Sequence, residues 1–195
     1  MTNEPAALIL MYFILPLWLL AGMADWLCHR ASHIATTTGA KESLIHILMF
    51  AEVGLPLLAA LFLKIDALIF AAMIVGFLLH EATTLWDLRY ASTARTITPI
   101  EQQVHSFLEM IPLTAIICVA VLHWGQFLSL FGAGTEHARF ILEWKPEPLP
   151  TLYIGSLLGC ILLFELLPYF EELLRGLRAN DGALIPPKAR GAARR

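Results

Sequence analysis

Residues 6–33 read AALILMYFILPLWLLAGMADWLCHRASH, nineteen uncharged residues followed by Asp25, His29 and His33 at steps of four. At 1.5 Å per residue the uncharged run alone approaches the ~30 Å of a bilayer's hydrocarbon. The span extends to Trp26 as Ala6–Trp26, and four further apolar stretches follow, Leu44–Leu63, Ala67–Trp86, Phe107–Phe131 and Leu152–Phe170. They are apolar on every face, not in short alternating segments, so helices and not a closed barrel are expected. With 58% hydrophobic and 15% charged residues, and a mean hydropathy of +0.69, the chain falls outside the soluble globular class. The expected fold is all-α: an integral membrane bundle of about five transmembrane helices, four of them around a metal site and the fifth peripheral.

The first stretch reads as a true span and not a secretory leader, because Met1–Glu4 carries no basic residue and the run is too long. Cys28, Cys118 and Cys160 lie in or beside spans and read as packing residues, not a disulfide framework. Near the span ends, Arg30, Lys41, Arg89, Arg95, Arg175 and Arg178 fall on one side and Lys64, Arg139 and Lys145 on the other. The positive-inside rule then places the N-terminus outside and the C-terminus in the cytoplasm. Residues 1–178 form the membrane domain. Residues 179–195 read as a basic, disordered cytoplasmic tail near anionic headgroups, and residues 132–151 as a loop lying along the outer surface.

Most ionisable residues of the spans gather at the cytoplasmic end. Steps of four advance only about 40° around a helix, so Asp25, His29 and His33 share a face. Thr36-Thr37-Thr38-Gly39 stops that helix, with hydroxyls suited to capping the next one, where Glu42 and His46 are again four apart. His80-Glu81 and Asp87 sit near the end of the third span. Thr98-Pro99-Ile100-Glu101 reads as a capping box that starts the fourth helix early and brings in His105 and Glu109.

An uncompensated carboxylate in a span costs about 2.5–3.5 kcal/mol, and a bound cation is the simplest compensation. The expected metal ligands are Asp25, His29, His33, Glu42, His46, His80, Asp87, His105 and Glu109, with Glu101, Glu81 and Glu52 as supporting partners. Glu42 also suits the dipole of its own helix, Glu101 the capping box, and Asp87 a pair with Arg89. Glu52 and Glu165, buried in spans, read either as a polar path or as interhelical hydrogen-bonding groups. His123 and His137 read as structural. Imidazole with carboxylate suits iron, manganese or zinc. The number of ligands favours two ions, iron first, about 3.5–4 Å apart.

His29-x-x-x-His33, on a helix leaving the membrane, resembles the first histidine box of the membrane desaturase and hydroxylase group. That likeness covers this motif and the general topology; no His-x-x-His-His box occurs in the chain. It implies a cytoplasm-facing, histidine-rich di-iron site. The expected function is a dinuclear metal oxidoreductase that hydroxylates, desaturates or oxidatively cleaves a hydrophobic or lipid-like substrate. Its electrons would come from an external donor. Membrane lipids, and not nucleic acid, are the other expected partners. Two other readings stand beside it: a zinc-dependent membrane lipid hydrolase, and a non-enzymatic haem or metal-carrying protein.

Overall fold

Residues 4–187 are described by a computed structural model, and five of its helices are long and apolar enough to cross a membrane. These are α1 (Pro5–Ala31), α3 (Ala40–Phe62), α4 (Ala67–Ala91), α5 (Pro99–Leu122) and α7 (Thr151–Ala179). Two short helices stand between them, α2 (Ile34–Thr37) and α6 (Trp124–Leu130). The all-α architecture points to a membrane protein.

Prolines shape two of the long helices. Pro16 and Pro168 lack an N–H, and each ring crowds the carbonyl four residues earlier. In both cases the turn before the proline widens to a π turn, Leu10–Ile14 in α1 and Leu162–Leu166 in α7. The Leu15 N–H then reaches the Leu10 carbonyl, and that of Leu167 the Leu162 carbonyl. Each helix continues through its proline with one extra residue in the turn. The turn in α7 contains Glu165, which is buried.

The fourth apolar stretch is not one helix through residue 131. It ends at Leu122, turns at His123, and resumes as α6, which packs Phe127 edge-on against Phe70 of α4 with ring centroids 5.3 Å apart. Between α3 and α4, Asp66 caps the second helix, its Oδ1 accepting from the Leu68 and Ile69 amides. Its Oδ2 accepts from the Ile141 amide. The Lys64 amide donates to the Glu143 carbonyl and the Lys145 amide to Phe62, so the long loop lies across the end of the α3–α4 hairpin.

At the opposite end Gly39, not a threonine hydroxyl, precedes α3. Its φ of 78° is a conformation that suits glycine, while Thr38 bonds back to the Ile34 carbonyl. The chain beyond residue 179 is packed here. Asn180 Nδ2 donates to the Ala35 and Gly176 carbonyls, and the Lys41 amide to Leu184. Asn180 and Leu184, within the stretch expected as a tail, thus find partners, and residues 188–195 lie outside the described residues.

Packing is closest where α3 meets α4. A Cβ on Gly76 would stand 2.8 Å from the Pro56 ring and strike the Glu52 carbonyl. Gly76→Val should therefore push the hairpin apart and lower stability by about 1–3 kcal/mol, read as an earlier thermal transition of the detergent-solubilised protein.

Candidate metal centre

The centre of the polar end is a carboxylate from α7. Glu172 Oε2 lies 3.0 Å from His29 Nδ1, and Oε1 lies 3.1 Å from His46 Nδ1. The two rings stack with centroids 4.3 Å apart and planes within 13°. An ionised carboxylate only accepts, so each Nδ1 carries the proton. With each ring neutral, the Nε2 on its other edge has a lone pair that could take a metal. A carboxylate holding the remote nitrogen is the usual arrangement behind a ligating histidine, and it fixes the tautomer and raises the basicity of the ligand.

Carboxylates meet those Nε2 atoms. His29 Nε2 is 3.3 Å from Asp25 Oδ1 and 3.8 Å from Glu101 Oε1, and His105 Nε2 is 3.0 Å from the same Asp25 oxygen. His46 Nε2 is 3.5 Å from Asp87 Oδ2 and 4.0 Å from Glu42 Oε1. Most of these separations are too long for good hydrogen bonds. Ligands ~2.1 Å from a shared ion stand roughly 3–3.5 Å from one another, and the 3.0, 3.3 and 3.5 Å separations fall in that range. Two groups that share His29 bring their ligand atoms within 4.8 Å of one another, one formed by Asp25, His29 and His105, the other by His29, Glu42 and His46. Asp25 Oδ1 and Glu101 Oε1 have cationic or imidazole neighbours, whereas His29 Nε2 and Asp87 Oδ1 are buried without a hydrogen-bond partner. Buried polar atoms of that kind among carboxylates fit a cation-binding site.

Arg95, from the turn between α4 and α5, closes the site. One guanidinium nitrogen lies 2.5 Å from Glu42 Oε1 and 2.6 Å from Glu101 Oε1, with the arginine side chain 3% exposed. Burial opposes its charge, but the two carboxylates outweigh burial and raise its pKa above the ordinary value. Glu101 also completes its capping box: Oε2 accepts from the Thr98 amide while the Thr98 hydroxyl accepts from the Glu101 amide. Its second oxygen serves the cluster.

The expected residues thus divide. Asp25, His29, Glu42, His46, Asp87, Glu101 and His105 come together, and Asp87 faces His46 instead of Arg89. His80 and Glu109 line a small cavity of about 50 Å³ beside the cluster, together with Glu165. Glu52 accepts from the Thr83 hydroxyl 2.8 Å away. Glu81 is half-buried with Oε1 unpartnered, and neither of these two joins the two ligand groups.

His33 stands apart. The helix ends at Ala31, and His33 takes a left-handed conformation with φ 54° and an exposed side chain, so the i+4 stripe does not reach it. Glu172 and Arg95 join this cluster, and the sequence reading had not included them. The fifth long helix was expected at the periphery, yet α7 is tied to α1 by Glu171, which accepts from Trp26 and Arg30. Glu172 lies two residues past the apolar run Leu152–Phe170, and no local spacing marks it out.

Comparison with family models, curated proteins and solved structures finds no match to this chain.

Glu172→Gln keeps the shape but offers one acceptor where two imidazoles each need one. It should weaken metal binding about 10–100-fold, measured by chelator competition. Glu52→Gln should leave affinity unchanged.

Proposed function

We propose that the chain is a membrane-bound dinuclear metal oxidoreductase, with iron as the metal and an apolar or lipid-like molecule as substrate. The observation that carries this reading is the stacked His29–His46 pair held by Glu172. If each free Nε2 takes one ion, the 4.3 Å ring spacing suits the ~3.5–4 Å separation of dinuclear sites. Asp25, Glu101 and His105 would complete one coordination sphere, and Asp87 with Glu42 the other.

Charge supports the same count. Five carboxylates, Asp25, Glu42, Asp87, Glu101 and Glu172, contact imidazole or guanidinium here. With His29, His46 and His105 neutral, as metal ligation requires, and Arg95 positive, they would leave four negative charges, which two divalent cations would cancel.

Iron bound here would supply the activation of dioxygen. His29, His46, His105 and the surrounding carboxylates would hold the ions, Glu172 would keep both imidazoles in the ligating tautomer, and Trp18, Met49, Phe50, Val53 and Leu108 would line the approach and exclude water. In a hydroxylation, one oxygen atom enters a C–H bond and the other leaves as water, consuming two electrons from an external redox protein and two protons. By the basic-residue asymmetry, the centre is placed at the cytoplasmic interface, where such a donor is accessible.

Metal analysis tests the reading. Protein purified without chelator should carry two irons per chain, and His29→Ala or His46→Ala should lose them. A single zinc per chain would favour a hydrolase, a Soret band a haem protein, and either result overturns the di-iron assignment. Retention of metal by both alanine variants would overturn the site itself.

A further inference from the structure

Resting on the oxidase reading, we propose that the cavity between the metal centre and the far end of the bundle binds one unbranched fatty carboxylate. Its head group pairs with Lys145 and its terminal carbon points toward the metals.

The cavity encloses about 170 Å³, and Met11, Val53, Leu57, Met73 and Ile111 are among its walls. Polar groups enter at the end remote from the metals, where His123, Lys145 and Tyr153 line it. Tyr153 donates to the Met11 carbonyl at 3.1 Å, and its hydroxyl is thereby occupied. Lys145 Nζ donates to the Ala60 carbonyl at 2.6 Å, which leaves two of its three N–H groups for a ligand.

Burial lowers the pKa of Lys145. Burial, followed by the positive charge of Lys145, lowers that of His123. One ammonium at the head of an apolar cavity complements one monoanion, and a carboxylate there would offset the desolvation of the lysine.

The other end is equally defined. Trp18 and Val53 line both this cavity and the small one containing Asp25, His46 and His80. Trp18 stacks on Phe50 with centroids 5.8 Å apart and planes within 7°. Phe50 lies one helical turn from His46 on α3, and ten residues of that helix, ~15 Å, separate it from Ala60. A chain anchored at Lys145 therefore ends against the aromatic pair, directly before the metal ligands. Reaction at the methyl end of the chain, away from its head, follows from this orientation.

The test reads binding without turnover. In nanodiscs of zwitterionic lipid, the full chain carries Trp18 as its sole tryptophan, after Trp26→Phe, Trp86→Phe, Trp124→Phe and Trp144→Phe. Laurate with bromine on its terminal carbon should quench Trp18 saturably, and laurate brominated beside its carboxylate should not. Lys145→Gln should weaken the terminal-bromo ligand about tenfold or more, while Lys145→Arg retains it.

Equal quenching by both ligands, absence of saturation, or indifference to Lys145→Gln overturns the proposal. Saturable end-on quenching in a protein that holds no redox metal would sink the oxidase reading and leave the fatty-acid site standing.

Discussion

One carboxylate shared by two stacked imidazoles organises the polar end of this bundle. Glu172 takes His29 on one oxygen and His46 on the other, across 143 and 126 residues of sequence. Each bond fixes a ring orientation and a tautomer at once. Without the shared acceptor, two rings 4.3 Å apart would have no common reason to aim their Nε2 atoms into the same space. The α1, α3 and α7 helices meet through those two bonds, and Asp25, Glu42, Asp87 and Glu101 lie around the buried Nε2 edges of the two rings.

The carboxylates are too close together to be a solvated polar surface. Asp25, Glu42, Asp87, Glu101 and Glu172 are each at most 4% exposed, and Arg95 offsets only one of them. Arg95 bridges Glu42 and Glu101, one carboxylate from each prospective coordination sphere. This contact ties the turn before α5 to the α3 side of the site. It also orients one oxygen of each acid.

The bundle is asymmetric along its length. Polar side chains crowd one end, and an apolar cavity fills the middle, with the Trp18–Phe50 stack between them. The proline-induced π turn in α7 contributes to that boundary, because it carries Glu165 to the wall of the small cavity, close against Gly22 of α1. A side chain larger than hydrogen at Gly22 would collide with the Glu165 carboxylate. Small residues thus let α1 and α7 approach closely enough for Glu172 to reach His29.

Local features were legible from the chain itself. Five long apolar runs required five long helices, Thr98 and Glu101 spelled out a capping box, and the spacings Asp25–His29 and Glu42–His46 put each pair on one helical face. These follow from periodicity and capping, which act within one or two turns. The end of α1 at Ala31 was already less legible, since the left-handed turn at His33 removes that histidine from a stripe that spacing alone would continue. The turn at His123 likewise divided an apolar run that composition treats as continuous. Only the tertiary structure shows that Glu172 and Arg95 join the cluster of imidazoles and carboxylates and that His33, Glu52 and Glu81 lie outside it. The rotation of each helix about its own axis is set by packing against distant segments, and no local pattern in an almost uniformly apolar span records it.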